Sequence, residues 1–154
     1  MYVIRRAKKS DAPEILVLNH RNLPEKYTLS FIEYLLEKPG ASYVVERDRT
    51  LVGYLIAIVD DSARIPIGKI EGPLGHIVSI AVDPEHRRKG LARRLMIKAL
   101  EDLRGRVDLV MLEVRVSNEP AISLYASLGF SIEHIRPGYY RDGETGLIMT
   151  YRYE

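Results

Sequence analysis

A short basic segment in the middle of the chain carries the clearest indication of chemistry. It reads Arg87-Arg88-Lys89-Gly90-Leu91-Ala92, and it lies between a run of apolar, strand-forming residues and a predicted helix. Glycine lets the backbone N–H groups at a helix N-terminus approach an anion closely, and the flanking cations attract that anion. The segment therefore predicts a phosphate-binding loop. A solvated basic helix start with Gly90 as a plain turn residue is the alternative interpretation.

Several other kinds of chemistry are excluded by residue types. The chain contains no cysteine, so it forms no disulfide, no cysteine-ligated zinc site and no thiol nucleophile. His20, His86 and His134 lack the spacing of metal ligands, and no acidic cluster offers oxygen atoms to a hard cation. We therefore expect no metal.

Positive charge is concentrated around the basic segment. Residues 84–106 hold eight lysines and arginines against three acidic residues, whereas the whole chain has a net charge of only +2. A nucleic-acid-binding module would instead disperse basic and aromatic positions over a surface. A non-catalytic nucleic-acid module is therefore the less favoured alternative, and we expect no specific nucleic acid among the partners.

Length and composition indicate one folded domain over residues 1–154. The chain is 46% hydrophobic and 29% charged, which is typical of globular proteins. Its longest apolar run, residues 51–59, is too short to span a bilayer. Basic residues near the start interrupt the place where the apolar part of a signal peptide would lie. We expect a cytoplasmic protein that does not contact a membrane.

Strands and helices alternate along the predicted fold. Hydrophobic periodicity and turn residues predict strands at 2–6, 41–47, 50–60, 76–82, 107–114, 130–136 and 145–153, and helices beginning near Asp11, Thr28, Gly90 and Glu119. The strand, loop, helix and strand over residues 76–114 form a βαβ unit, which predicts an α/β class. Residues 61–74 are predicted to be a connection that contains glycine and proline.

Local signals refine the predicted elements. Asp11 with Glu14 predicts a capping box, and Thr28 predicts the N-cap of a helix with Leu29, Ile32, Leu35 and Leu36 facing inward. Asp48-Arg49 predicts a hairpin turn between two strands, and Gly129 predicts the end of the last helix. The nearly continuous apolar run at 76–82 predicts a strand buried on both faces.

Four further segments carry a resemblance to an enzyme family. They are Asn22-Leu23-Pro24-Glu25-Lys26-Tyr27, Gly75-His76-Ile77-Val78-Ser79-Ile80-Ala81-Val82, Leu112-Glu113-Val114-Arg115-Val116-Ser117-Asn118 and Gly138-Tyr139-Tyr140. Residues 87–92 resemble the pyrophosphate loop of the GNAT superfamily of acetyl-CoA-dependent N-acetyltransferases. The four segments are similar to the catalytic subunit of NatA-type protein N-terminal acetyltransferases, particularly the stand-alone archaeal form.

The resemblance has implications for the fold and for acetyl-CoA. It implies a single-domain GNAT fold of the α/β (α+β) class, with a mixed central sheet of about seven strands, four helices, and fourth and fifth strands that splay to admit the cofactor. It also implies that the backbone of Ile80, Ala81 and Val82 bonds the pantetheine arm, and that residues 87–92 wrap the pyrophosphate. Asn118 and Tyr125 match positions near the thiol end of the cofactor. Asn118 is also a good helix N-cap, and Tyr125 is alternatively a packing residue.

Direct acetyl transfer requires a base for the attacking amine and an acid for the departing thiolate. An α-amine of pKa about 7.8 is roughly 10–15% neutral at pH 7, so it needs less help than a lysine. The resemblance implies that Glu25 faces the substrate and orients or deprotonates the amine. His76 and Glu113, on adjacent strands of the implied fold, are candidates for a water relay. Which of these is the main base stays open at this point.

Substrate contacts are also implied by the resemblance. Tyr139 and Tyr140 resemble peptide-clamping tyrosines, and Leu23 and Tyr27 are expected beside Glu25. Lys26 departs from the asparagine that is frequent after the motif glutamate. A lysine ε-amine or a small-molecule amine is the alternative acceptor, although the motifs favour a protein N-terminus. The resemblance also raises the ribosome or an auxiliary subunit as a partner.

Overall fold

The computed structural model describes residues 1–61 and 72–154, which group into two compact units. The first unit consists of Met1–Val59 and Ile77–Leu103. The second consists of Arg104–Glu154 and the described residues of Asp60–His76. Most of the predicted connection at 61–74 therefore lies outside the described residues.

Seven strands and four α-helices build the structure. In chain order they are β1 (Val3–Arg6), α1 (Ala12–Asn22), α2 (Leu29–Glu37), β2 (Tyr43–Arg47), β3 (Thr50–Asp60), β4 (Leu74–Val82), α3 (Leu91–Leu103), β5 (Leu109–Arg115), α4 (Glu119–Leu128), β6 (Ser131–Arg136) and β7 (Gly146–Arg152). Short 3-10 turns occupy Lys9–Asp11 and Pro84–His86. The strands form one mixed sheet in the order β1-β2-β3-β4-β5-β7-β6. The predicted mixed sheet and four helices are confirmed, and the splaying of β4 and β5 stays a prediction.

In the first unit, a tight hairpin joins β2 and β3. Asp48 and Arg49 both have positive φ, at 52° and 65°, and Arg47 pairs with Thr50 across the turn. Two successive residues with positive φ match the twist of antiparallel strands, so they close a two-residue hairpin. The predicted hairpin turn is confirmed.

Helix starts follow the predicted caps at two of three places. The Thr28 hydroxyl accepts a hydrogen bond from Phe31 N–H, and the Asn118 side chain accepts one from Ala121 N–H. The predicted Asp11 capping box is wrong. Asp11 makes no side-chain cap for α1, because its carboxylate pairs with Arg5 at 2.8 Å and accepts the Lys8 N–H at 2.7 Å. A partly buried ion pair with Arg5 of β1 engages that carboxylate instead.

The buried faces of the helices mostly match the predicted periodicity. Ile32 and Leu35 of α2 are buried, but Leu29 is 39% exposed, so its predicted inward orientation is wrong. Leu29 is the first residue of α2, where the helix has not yet reached the core. Helix α3 buries Leu91, Leu95, Ala99 and Leu103 at 2% exposure or less, as its spacing predicts.

In the second unit, β7 pairs antiparallel with both β5 and β6. Leu74, Leu109, Met111 and Ile148 form an apolar cluster there. Gly129 ends α4 with φ 108°, a left-handed conformation that favours glycine at this position, as predicted.

Strand β4 is not buried on both faces, which corrects the prediction. Its residues alternate, and His76, Val78 and Ile80 are only half-buried while their neighbours are buried. Apolar residues on the half-buried face made the strand look fully buried in the sequence.

In the described part of the chain, no helix is long and apolar enough to cross a membrane.

Candidate active site

The basic segment forms a loop whose backbone is shaped for an anion. Arg88 and Gly90 have φ values of 62° and 73°, and α3 begins directly afterwards at Leu91. A Cβ added at Gly90 would meet no described atom within 4 Å, so the space beside the glycine is open. Leu91, the first residue of α3, is 2% exposed and belongs to the core. First-turn N–H groups and an open glycine fit a phosphate.

Arg87 is already engaged within the first unit. Its Nε donates to the Val82 carbonyl at 2.8 Å, and its Nη2 donates to Asn22 Oδ1 at 3.3 Å. The Val82 carbonyl ends β4, where the pantetheine contact is predicted. Arg87 therefore braces the predicted cofactor segment besides carrying charge.

Residues 23–28, which we call the substrate loop, are fastened to the last turns of α1. Buried Asn19 donates from Nδ2 to the Glu25 carbonyl at 3.0 Å and accepts the Tyr27 N–H at 2.9 Å. Its amide also lies 3.4 Å from the hydroxyl of Tyr54, which is hydrogen-bonded to Ser79 at 2.7 Å. A single amide thus fixes the backbone from the Glu25 carbonyl to the Tyr27 N–H.

The sequence analysis did not identify Asn19 as a residue that anchors the substrate loop. It lies four residues after Ile15 on the apolar face of α1, and both residues have 0% exposure. A polar side chain at such a position is buried only when its hydrogen bonds are satisfied. An asparagine on a predicted core face just before a motif is therefore the signal that identifies a loop anchor.

The predicted substrate residues of the first unit have distinct environments. Leu23 and Tyr27 pack against the core, and Glu25 is half-buried. The Tyr27 hydroxyl lies 3.4 Å from the Val78 carbonyl of β4. Lys26, the departure from the family motif, donates to the carbonyls of His20 and Leu23 at the end of α1. A lysine suits this position because it satisfies carbonyls at the negative end of the helix dipole.

The structure brings His76 and Glu113 together in the second unit. His76 Nε2 lies 2.6 Å from Glu113 Oε1, and the two side chains are 18% and 20% exposed. A carboxylate that accepts the imidazole N–H fixes the tautomer and leaves the other ring nitrogen able to accept a proton. The sequence nominated both residues but could not show that they touch.

Asn118 is the N-cap of α4, and Tyr125 lies about two turns further along the helix. Asn118 caps the helix, which confirms its structural role. Tyr125 is 6% exposed and packs against Phe130 at 6.0 Å between ring centroids. Burial raises the pKa of its hydroxyl to about 12, so the phenol stays protonated at neutral pH.

Tyr139 and Tyr140 belong to residues 137–145, which we call the tyrosine loop. Their rings meet edge to face at 5.1 Å, and Tyr139 is 49% exposed. Burial raises the pKa of the Tyr139 hydroxyl, and the charge of Glu113 adds to that rise while Arg136 opposes it. Tyr139 therefore lies close enough to Glu113 to be affected by its charge.

Arg115 holds the tyrosine loop, which the sequence did not predict. Its Nη1 donates to Asp142 and Glu144 at 2.8 Å each, and its guanidinium lies 4.2 Å from the Tyr140 ring centroid. A hydrogen bond from the Glu144 N–H and the nearby Arg115 lower the pKa of Asp142. Ser117 and Arg115 lower the pKa of Glu144 in the same way.

Within residues 1–61 and 72–154, no group of three or more histidine, aspartate or glutamate side chains is placed to hold a metal ion.

The described residues form a mixed seven-stranded sheet with an open, basic glycine loop directly before α3. A comparison with protein families identifies the class to which this arrangement belongs. Residues 4–130 match the model of the acetyltransferase (GNAT) family. The chain belongs to the GNAT family.

Two curated relatives show which members of the family this chain resembles. The N-alpha-acetyltransferase of Saccharolobus solfataricus is 36% identical over 157 residues, which span 96% of this chain and 91% of the relative. The N-terminal acetyltransferase A complex catalytic subunit ard1 of Schizosaccharomyces pombe is 36% identical over 95% of this chain and 82% of its own length. The predicted resemblance to NatA-type enzymes and their archaeal stand-alone form is confirmed.

A solved structure gives the same fold over the full length. Arabidopsis thaliana NAA60 in complex with acetyl-CoA superposes with a TM-score of 0.88, covering 99% of this chain and 100% of that one at 21% identity. At this identity the match supports the fold alone.

Proposed function

We propose that this chain is an N-alpha-acetyltransferase that moves the acetyl group of acetyl-CoA directly to the N-terminal α-amine of proteins. The observation that carries the proposal is the 36% identity, over 96% of the chain, to an enzyme of that name. The GNAT fold, with its open glycine loop before α3, supports acetyl-CoA as the co-substrate. We propose that residues 1–154 act as one catalytic domain.

The reaction balances without a covalent enzyme intermediate. The neutral amine nitrogen forms a bond to the thioester carbonyl carbon, and the C–S bond breaks to release the CoA thiolate. The amine loses one proton to a base, and the thiolate gains one proton. Because an α-amine is already about 10–15% neutral at pH 7, the enzyme needs only to complete its deprotonation.

The His76–Glu113 contact supports a base role for this pair. Glu113 at 2.6 Å holds the imidazole in one orientation and stabilises the charge that forms when His76 accepts a proton. Glu25 is the second candidate, because Asn19 fixes its carbonyl and the Tyr27 N–H that follows. We propose that the His76–Glu113 pair takes the amine proton through water, with Glu25 as the alternative base.

Tyr125 supports the leaving thiolate in this proposal. A phenol of pKa about 12 holds its proton more tightly than an ordinary thiol, whose pKa is about 8.5. Full proton transfer from Tyr125 to the thiolate is therefore uphill. Tyr125 acts by donating a hydrogen bond to sulfur, and the proton that neutralises the thiolate comes from the solvent or the amine.

The cofactor loop is tested at Gly90. Replacing Gly90 with valine places a side chain in the open space beside the loop, on backbone with φ 73°. We expect the Kd of acetyl-CoA to rise at least tenfold, about 1.4 kcal/mol. The matched control is Gly105→Val, since Gly105 also has positive φ and open surroundings but follows α3 instead of preceding it. Equal calorimetric affinity of the two variants would contradict the loop assignment.

The acceptor is tested with matched peptides. Wild-type rates are measured on peptides that differ only at their first two residues and on one lysine peptide blocked at its N-terminus. We expect transfer to free N-termini at rates well above transfer to the blocked lysine peptide. Equal or faster lysine acetylation would make the ε-amine the acceptor and leave the fold and donor unchanged.

The base is tested by Glu25→Gln and Glu113→Gln. If Glu25 were the sole base, its amide variant would lose about 10²–10⁴-fold in rate with acetyl-CoA affinity retained. Our proposal predicts a smaller loss for Glu25→Gln and a larger one for Glu113→Gln, with the double variant slower than either. Raising the pH should rescue these variants on N-terminal peptides, because more of the amine is then neutral. Equal pH profiles on the blocked lysine peptide would refute that explanation.

Partners beyond the protein N-terminus belong to the same proposal. The Schizosaccharomyces pombe relative is named as a catalytic subunit of a complex, which supports an auxiliary subunit here. Ribosome association is tested by co-sedimentation of the chain with ribosomes at physiological salt. A cytoplasmic location remains a prediction from the sequence.

A further inference from the structure

Asn22 lies at a junction of three parts of the first unit. At the last residue of α1, its Nδ2 donates to the Leu18 carbonyl at 3.0 Å and to Asp83 Oδ1 at 2.7 Å. Its Oδ1 accepts from Arg87 Nη2 at 3.3 Å. The Asp83 carboxylate also pairs with Arg21 through contacts of 3.1 and 2.6 Å. One amide therefore connects the end of α1, the residue after β4 and the start of the cofactor loop.

Arg87 can serve this junction and a phosphate at once. A guanidinium has five N–H donors, and two of them are directed at the Val82 carbonyl and Asn22. The remaining donors can form a charge-assisted contact with an anion. An anion bound there holds the guanidinium plane, and with it the donor that Asn22 uses.

On the other side of the junction, the substrate loop directly follows Asn22, and hydrogen bonds to α1 hold its backbone. Leu23 N–H donates to the Asn19 carbonyl at 3.0 Å, and the Asn19 side chain fixes Glu25 and Tyr27. Lys26 bonds the Leu23 carbonyl at 3.2 Å. The loop is thus fastened to the same helix end that Asn22 completes, so a shift of Asn22 is passed to the residues around Glu25.

We infer that Asn22 is a positioning residue that couples acetyl-CoA binding to N-terminal peptide binding through its contact with Arg87. The Arg87–Asn22 contact is exposed, so its side chains keep conformational freedom that a bound ligand removes. Whichever ligand binds first meets that entropy cost, so the second ligand binds more tightly. The coupling is reciprocal, since each ligand must raise the affinity of the other by the same factor. This inference rests on the proposed function.

The coupling factor is measured with CoA, which cannot react with the peptide. Calorimetry gives the Kd of CoA without peptide and with a saturating unacetylated N-terminal peptide, and the ratio of the two values is the factor. We expect a factor of about five or more in the wild type, within the usual range for coupled sites. Asn22→Ala should reduce the factor to below about two, with CoA still bound in the absence of peptide.

Two further variants separate coupling from general damage. Arg21→Ala removes another partner of Asp83 on the same turn of α1 but leaves the Asn22–Arg87 contact, so it should keep the wild-type factor. In an Arg87→Ala background, adding Asn22→Ala should change the factor no further. Melting temperatures check that each variant folds, and Arg87→Ala alone, at an exposed position, tests the contact should Asn22→Ala unfold.

The outcomes that overturn the inference are specific. A wild-type factor near one, an unchanged factor in Asn22→Ala, or an equal loss in Arg21→Ala each refutes it. Acetylation of N-terminal peptides is measured in the same samples. Active wild-type enzyme with a factor near one rejects only the coupling, whereas failure to acetylate any N-terminal peptide rejects the proposed function.

Discussion

The substrate loop and the tyrosine loop are held by different physical interactions. In the first unit, residues 23–28 are fixed by hydrogen bonds from a buried neutral amide, that of Asn19. In the second unit, residues 137–145 are fixed by ion pairs between Arg115 and the carboxylates of Asp142 and Glu144. Salt and pH act on charges and leave neutral amides unaffected. The two loops should therefore respond differently to the same change in solution.

This difference indicates how firmly each loop is held by its own unit. The buried anchor makes the backbone around Glu25 part of the folded core, so its geometry is set whenever the domain is folded. The tyrosine loop depends on partly exposed ion pairs, with the Asp142 side chain 61% exposed. Exposed ion pairs contribute little to stability, so this loop can adjust at small cost.

The largest effect is expected from removing the buried anchor. Asn19→Ala removes the hydrogen bonds that the buried amide makes to the Glu25 carbonyl and the Tyr27 N–H, which we expect to cost about 1–3 kcal/mol of unfolding free energy. The value of kcat/KM for an N-terminal peptide should fall about tenfold or more, equivalent to about 1.4 kcal/mol. Chemical denaturation and steady-state kinetics measure the two effects.

Tyr54→Phe is the matched control for that variant. It deletes another buried polar atom of the same network but leaves the hydrogen bonds of Asn19 to the substrate loop. It should lower stability while keeping peptide kcat/KM close to wild type. An equal loss of kcat/KM in both variants would mean that the amide has no specific role in the loop.

A smaller effect is expected from Arg115→Ala. Without the guanidinium, Tyr140 and both carboxylates lose their shared partner, so the KM for the peptide should rise about three- to tenfold with kcat nearly unchanged. The difference from wild type should shrink at about 0.5 M salt, because exposed charges are screened. Arg152→Ala, which breaks an exposed ion pair with Glu133 in the same unit, is the control and should leave KM unchanged. A salt-independent effect would show that packing rather than charge holds the loop.

The smallest expected effect is the loss of thermal stability at acid pH. The pKa values of Asp142 and Glu144 are lowered in the folded protein, so their stabilising contribution is present above the unfolded pKa values and is lost as pH falls through the folded ones. The melting temperature of wild type should therefore exceed that of the Asp142→Asn, Glu144→Gln double variant near pH 6. The two should converge as the pH falls below about 4.

The same acid titration discriminates between the loops. The difference in melting temperature between wild type and Asn19→Ala should stay constant from pH 6 to pH 4, since an amide does not titrate there. Convergence of that pair as well would show that the substrate loop also depends on charge.

How far the sequence predicts the site depends on whether a signal is local. The basic loop at 87–92 was recognisable because its glycine and cations adjoin a helix start, and the motif around Glu25 was recognisable as a continuous segment. The pairing of His76 with Glu113 joins residues 37 positions apart, and the sequence could only nominate both. Arg115 looked like an ordinary strand residue, because its partners lie beyond the next helix.

The errors in the fold prediction have related causes. Asp11 has the right type and spacing for a cap, yet Arg5 on β1 claims its carboxylate. Leu29 fits an apolar helix face, yet it lies where α2 has not reached the core. Strand β4 has an apolar sequence on both faces, yet one face is only half-buried. In each case a tertiary contact, or the lack of one, outweighed the local signal.

The sequence by itself determined the order of the elements, the helix caps at Thr28 and Asn118, the hairpin turn at Asp48 and the glycine-containing basic loop at residues 87–92. These features depend on backbone preferences and side-chain periodicity within a few residues, so a local pattern is enough. Only the tertiary structure decided that Asn19 anchors the substrate loop, that Arg115 forms ion pairs with two carboxylates, and that Asn22 accepts a hydrogen bond from Arg87. Those contacts depend on which segments the folded chain brings together, and the free energy of burying or pairing a polar group exists only once they meet.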